Sequence, residues 1–287
     1  MLTRQTHRAV RDLNLDDETR VAVAGDWHGD QLWLREAIPA IRAADPLITT
    51  IVHVGDYGLA QGPRGRGFLN AVDDVCFEYG FERILVTPGN HDDWGRLTAR
   101  WLSEPGDEIW LSDVTRFLPR GYRWTIGGRT FLSFGGAASL DRTGRRVGRD
   151  WWPEEMPRPL EVEAAVAKGP AEILITHEAI NGGCSKVERV LETNPQGWDE
   201  LDLEYSATSR GLVTRVWEGV RPSVLAHGHM HIADQVELAS GQRVYSLGNR
   251  GQRKNLAILD LKDLSWTWVD VPRSQFRRRE GLGSYGR

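Results

Sequence analysis

Apolar and polar residues fall along the chain in blocks. Short runs rich in β-branched residues, "VAVAG" from Val21, "ITTIVHVGD" from Ile48, "RILVTPGN" from Arg83, "EILITHE" from Glu172 and "SVLAHGH" from Ser223, have the length and composition of buried strands. Between the first three lie segments with helical patterning, "QLWLREAIPAIRAA" from Gln31 and "GFLNAVDDVCFEYG" from Gly67. Strands that alternate with helices predict an α/β fold. The stretch "TRFLPRGYRWTIGGRTFLSFGG" from Thr115 differs and predicts two strands joined at Gly127 and Gly128, a hairpin. From Gln235 to Asp270, "VELASGQRVYSLGN", "NLAILDL" and "SWTWVDV" predict meander strands, which form either a second sheet or an antiparallel extension of the first.

Composition narrows the class. With 287 residues, 40% hydrophobic and 26% charged, the chain is long enough for one large core. A single domain over residues 1–273 is expected, and the basic, Gly-rich segment 274–287 reads as a disordered tail. The net charge of −4 supplies no global basic field, so nucleic acid is a partner the composition allows without supporting. The first residues carry no apolar leader core, and no stretch approaches the roughly 20 apolar residues of a membrane span, so a cytoplasmic protein is expected. Cys76 and Cys184 are far apart and form no CxxC pair, which indicates neither a disulfide framework nor a zinc knuckle and fits a reducing compartment. Oligomeric state leaves no mark on the sequence.

The strand-like runs end in donor residues. "VAVA" leads into Asp26 and His28, "IVHV" into Asp56, "ILVTPG" into Asn90 and His91, "ILIT" into His177, and "VLAHG" into His229 and His231. In an open α/β sheet, ligands bind at the carboxyl ends of the strands, so five separate segments deliver these side chains to one edge. Carboxylate, amide and imidazole donors without thiolate suit Mn²⁺, Fe or Zn²⁺ better than a structural zinc site.

In their order, "GDWHGD", "GDYG", "GNHD", the His of "THE", and "GHMH" resemble the signature of the calcineurin-like metallophosphoesterases, from about Ala22 to His231. The resemblance implies a four-layer α/β/β/α sandwich with two mixed sheets and the metal site at the strand C-terminal ends. It implies two divalent ions, with Mn²⁺ first and Fe, Zn²⁺, Ni²⁺ or Co²⁺ as alternatives. Asp26, His28 and His231 would hold one ion, Asn90, His177 and His229 the other, and Asp56 would bridge them. Asp56, Asn90 and His91 would form the catalytic group, with His91 protonating the leaving oxygen or stabilising its charge. A hydroxide held between the ions would attack phosphorus in line, without a phosphoenzyme. The activity expected is phosphodiesterase action on a nucleotide, cyclic nucleotide or similar small diester.

Other readings compete. The opening "GDWHG" also resembles the phosphoprotein phosphatases, but "GDYGLAQG" lacks the Asp and Arg of their second motif, and "GHMH" is complete here. A monoesterase or phosphoprotein phosphatase is the alternative, followed by a nuclease and by a non-catalytic scaffold, the last disfavoured by the intact donor set. Whatever orients His91 must then come from elsewhere, with Asp92 and Asp93 as candidates. Asp30 reads as a turn residue or a residue behind the ligands; His7, His53 and His227 read as ordinary polar residues. Trp33, Trp217, Trp266 and Trp268 read as core, whereas Trp27 and Trp94 read equally as core or as a cleft wall able to stack on substrate. The segment "GGAASLDRTGRRVGRDWWPEE", Gly135 to Glu155, reads as a long ordered loop of a kind found in a bacterial and phage-like subset of that family. Arg142, Arg145 and Arg146 either grip a phosphate or pair with Asp141 or Glu154.

Overall fold

The structure, a computed structural model, describes residues 17–59 and 63–272. His7 and the tail expected at 274–287 lie outside the described residues. In a 7-stranded sheet, β1 (Arg20–Ala24), β2 (Thr50–His53), β3 (Arg83–Val86) and β5 (Thr115–Phe117) run parallel. β4 (Ile109–Trp110) closes one edge antiparallel, and β12 (Leu256–Asp260) and β13 (Trp266–Val269) close the other. In a 6-stranded sheet, β7 (Arg129–Phe134), β8 (Ile173–Thr176), β9 (Val224–His227) and β11 (Arg243–Ser246) are parallel. β6 (Tyr122–Ile126) and β10 (Asp234–Glu237) form its antiparallel edges.

Strand alternation explains why the runs are apolar at every position. Val21, Val23, Val52, Val54 and Leu85 meet Phe131, Ile173, Ile175, Val224 and Ala226 between the sheets. Their sequence neighbours Ala22, Ala24, Ile51, Ile84 and Val86 face outward into a second core. That core is shared with α1 (Gln31–Ala44) and α2 (Pro63–Tyr79). On the other side Leu132, Phe134, Leu174 and Leu225 pack with α4 (Pro159–Ala167), α5 (Ser185–Thr193) and α6 (Glu200–Val220). The layers are therefore α/β/β/α, and each central strand is buried on both faces. Each fully buried aliphatic side chain contributes about 1.5–3 kcal/mol relative to exposure.

Two expectations need correction. The single hairpin expected from Thr115 divides between the sheets. β6 and β7 do pair antiparallel around Gly127 and Gly128, whose φ of 53° and 72° is readily reached only by glycine. β5, however, pairs in parallel with β3, and Pro119, with no N–H to give a ladder, lies where the chain passes to the second sheet. The meander expected after Gln235 also divides: β10 and β11 extend the second sheet, and β12 and β13 extend the first. Trp33 and Trp217 are buried as expected, while Trp266 and Trp268 are half-buried around Tyr245, which stacks on Trp266 at 4.0 Å. Among the described residues, no helix is long and apolar enough to cross a membrane.

Candidate metal centre

The carboxyl ends of β1, β2, β3, β8 and β9 meet at one edge, and the loops that leave them are tied together by backbone. The N–H groups of Trp27 and His28 donate to the Asp56 carbonyl at 3.1 and 2.7 Å, and Gly29 N–H donates to Tyr57. A Cβ on Gly58, which has φ 123°, would lie 2.3 Å from Gly29 N, so only glycine lets these loops approach. Asp30 caps α1 through the N–H groups of Leu32 and Trp33, which makes it a turn residue behind the ligands.

One donor of each of Asp26, His28, Asp56 and His231 lies within 4.8 Å of the others. His231 Nε2 is 3.1 Å from Asp26 Oδ2 and 3.1 Å from His28 Nε2, and His28 Nε2 is 3.7 Å from Asp56 Oδ2. A second group adjoins it across Asp56. His177 Nε2 is 3.3 Å from Asp56 Oδ1 and 3.0 Å from Asn90 Oδ1, and the His229 ring is 5.2 Å from that of His177. Asp56 thus turns one carboxylate oxygen to each group. Four of these residues hold left-handed backbone that non-glycine residues rarely adopt: His28 (φ 48°), Asp56 (50°), His229 (67°) and His231 (54°).

The electrostatics fit cations. Asp26 Oδ1, Asp56 Oδ2 and His229 Nε2 are buried with no hydrogen-bond partner, an arrangement costly for a carboxylate unless a positive charge completes it. Burial holds the imidazoles of His28 and His229 well below their ordinary value, so both are neutral and present a lone pair. His177 behaves oppositely. Burial disfavours its charged form, but the adjacent Asp56 carboxylate outweighs that and lifts it to about 10. Asp56 is likewise pushed up by burial yet held well below the carboxylate range by His177 and His91. His177 Nδ1 donates to the Val54 carbonyl at 2.8 Å, which aims Nε2 at Asn90 and Asp56. A proton on Nε2 occupies the direction a cation would take, and ion binding there must release it.

Behind the donor cluster stand residues that the sequence pattern does not mark. Asn90 Nδ2 donates to Ser139 Oγ at 3.0 Å, which leaves its carbonyl oxygen for His177 and the cluster. Ser139 donates from N and Oγ to the carboxylate of Glu155 at 2.7 and 2.8 Å, and Trp151 Nε1 donates to the same carboxylate. Glu178, which follows His177 directly, is buried 4.0 Å from His229. The only signal for Ser139 and Glu155 was their place in the long loop.

Several expected site residues go elsewhere. Trp27 is fully buried against His53 and Tyr57 and forms no cleft wall. Trp94 is also buried, its indole N–H donating to the Gly89 carbonyl at 2.8 Å and its ring covered by Arg120. Arg142 turns toward α6, pairing with Asp202 at 3.1 Å and lying over Tyr205. Neither candidate for orienting His91 touches its ring. Asp92 instead accepts the N–H groups of Gly89, Gly58 and Leu59, and Asp93 caps α3 (Trp94–Ser103). His53 and His227 are buried outside the donor cluster, and burial lowers them to about 3 and about 4. Arg145 does reach the cluster, with Nη2 3.0 and 3.1 Å from the two ring nitrogens of His91.

Comparison with known proteins places this geometry. A family model described as calcineurin-like phosphoesterase matches residues 19–233. The solved structure of TT1561 of Thermus thermophilus is 14% identical with a TM-score of 0.53, covering 88% of this chain and 99% of that one. Another solved structure is 15% identical with a TM-score of 0.56, again covering 88% and 99%. The phosphopantetheinyl hydrolase PptH from Mycobacterium tuberculosis is 15% identical with a TM-score of 0.46, covering 84% and 96%. At these identities the likeness to the first two concerns fold alone. No curated protein matches the chain.

Proposed function

The chain belongs to the calcineurin-like phosphoesterase family, hydrolases of phosphoric esters built around two divalent ions, and from that premise we propose that it hydrolyses small phosphodiesters, such as a nucleotide or cyclic nucleotide, with Mn²⁺ as its ion. The observation that carries the diester reading is the charge balance beside the donor cluster. Arg145 is clamped by Asp141 at 2.8 Å. Arg250, whose N–H donates to the Asp26 carbonyl, faces Asp30 at 3.3 Å. Both bordering arginines thus carry a carboxylate partner. A monoester dianion needs further positive charge to settle beside them, whereas a diester brings a single charge.

When bound, the ions supply a nucleophile from water at neutral pH and hold the non-bridging oxygens of the phosphoryl group. Asp26, His28 and His231 would hold one ion, Asn90, His177 and His229 would hold the other, and Asp56 would serve both. Ser139 keeps the Asn90 amide from turning. His91 stands 4.0 Å from Asp56 with its side chain 40% exposed, the one imidazole of the group open enough to meet substrate. Burial, opposed by Asp56 and aided by Arg145, lowers the His91 imidazole, so its protonated form is a ready acid that gives its proton to the leaving oxygen as the P–O bond breaks.

The test is exhaustive chelation followed by readdition of metal. Mn²⁺ is expected to restore cleavage of bis-p-nitrophenyl phosphate, with p-nitrophenyl phosphate the poorer substrate by kcat/KM. Full activity after chelation overturns the metal reading, and a preference for the monoester overturns the diester reading.

A further inference from the structure

Arg145 is held more tightly than an arginine that merely attracts phosphate needs to be. Its Nε lies 2.8 Å from Asp141 Oδ1, its Nη2 2.8 Å from Asp141 Oδ2, and its Nη1 donates to the Asp150 carbonyl at 3.1 Å. The side chain is only 11% exposed although Asp141 itself is 62% exposed, so the guanidinium lies beneath its own partner. Nη2 is almost equidistant from both ring nitrogens of His91. An in-plane position of that kind would collide with ring carbons, so the amino group lies across the imidazole face. His91 also adjoins the donor cluster, with Asp56 Oδ2 4.0 Å from its Nε2 and the His28 ring 5.2 Å away. His91 therefore touches both the donor cluster and a fixed, already neutralised guanidinium.

We propose that Arg145, aligned by Asp141, stabilises the charge that develops on the departing oxygen beside His91, and so sets how poor a leaving group the enzyme tolerates. This rests on the hydrolase reading given above. As the P–O bond breaks, its electron pair passes to the leaving oxygen; water supplies the new oxygen on phosphorus, and the proton for the leaving oxygen comes from His91. A donor immobilised before the reaction lowers the barrier by meeting charge only as it forms. A guanidinium whose charge is balanced in the resting state adds little to ground-state binding, so its effect falls on kcat rather than KM. Asp141 is a positioning residue in this scheme.

The experiment compares the full-length wild type with Arg145→Gln, Arg145→Lys and Asp141→Asn, each loaded with Mn²⁺. The substrates are methyl aryl phosphates whose leaving phenols rise in pKa from dinitrophenol to phenol. Arg145→Gln should leave KM within about twofold and keep both ions. Its loss in kcat should be small for dinitrophenol and grow to about 10²-fold for phenol. Arg145→Lys should recover part of that loss, and Asp141→Asn should show a weaker form of the same trend. A loss of equal size across the series, or one confined to KM, overturns the proposal while leaving the hydrolase reading intact. A wild type inactive on every ester with any divalent ion overturns both.

Discussion

Glu155 allows the loop behind the metal ligands to be tested without touching a ligand. Its carboxylate is fully buried, and burial lifts it from the ordinary 4.5 to about 8, against the hydrogen bonds of Ser139 and Trp151 and the charge of Arg145. A carboxyl group whose folded value is raised contributes its stability below the unfolded value, and that contribution is lost as pH rises through the folded one. Each pH unit between the two values costs about 1.4 kcal/mol. Ionisation of the unfolded chain therefore costs the native state roughly 3 kcal/mol by pH 7 and roughly 4–5 kcal/mol above pH 9, relative to pH 4. Glu155→Gln copies the neutral form: its amide donates to Ser139 Oγ, and its carbonyl accepts from Ser139 N and Trp151. Urea unfolding of both proteins from pH 5 to 9 should give a stability difference near zero at pH 5. The difference should grow in favour of the variant to about 3 kcal/mol at pH 7 and then level off above pH 8. A difference flat in pH, or a variant that becomes relatively weaker as pH rises, would refute the assignment of a neutral, buried Glu155.

Other expectations concern the ligands themselves. Asp56→Asn should lose both ions, measured by elemental analysis, and nearly all turnover, whereas His91→Ala should keep both ions and lose about 10²–10⁴-fold in rate; a His91 variant that loses metal would show that its role is coordination. Gly89→Ala would put a Cβ 2.2 Å from Asp56 Oδ1 and 2.8 Å from His177 Nε2, so it should expel the ions and cost about 1–3 kcal/mol of stability, read by metal content and thermal unfolding.

The convergence of the donor residues was legible because each follows a short apolar run, and strand ends are converted to a common edge by the sheet itself. Asp26, Asp56, Asn90, His177 and His229 needed no knowledge of loops. The support behind them was not legible, because it depends on pairs remote in sequence. Ser139 and Asn90 are 49 residues apart, and Arg145 and His91 are 54 apart, with no pattern in either segment to join them. α6 was missed for a different reason. Its buried face includes Asp202, Ser206 and Ser209, and these polar residues interrupt the apolar spacing that marks a helix. Asp202 is buried there because it receives Arg142 and Thr143 from the loop, so the break in the pattern was itself the mark of a contact. Trp27 misled because it stands between two ligands in sequence, yet consecutive side chains leave the chain in different directions.

The backbone gives a reason for treating the cluster as a metal centre that owes nothing to motifs. Among the described residues, the non-glycine positions with positive φ are His28, Asp56, His229 and His231 together with Asn194, Arg221, Lys254 and Leu264. Asn194 and Arg221 close α5 and α6, where left-handed caps are common. The four ligand positions close no helix, and each left-handed residue costs on the order of 1–2 kcal/mol. They persist because other contacts dictate the path: His229 N–H donates to Asp26 Oδ2, His91 N–H to Asp56 Oδ1, and both Trp27 and His28 N–H to the Asp56 carbonyl. The carboxylates of the cluster thus shape the loops that carry its imidazoles, and the fold holds the donors converged at its own cost. An ion that binds the folded chain alone offsets this cost by mass action, about 2.7 kcal/mol at a free concentration 100 times its dissociation constant. Loops strained toward one another before any ion arrives need little rearrangement to bind it, which is the arrangement a centre must have if its geometry, rather than its flexibility, is to place phosphorus beside His91.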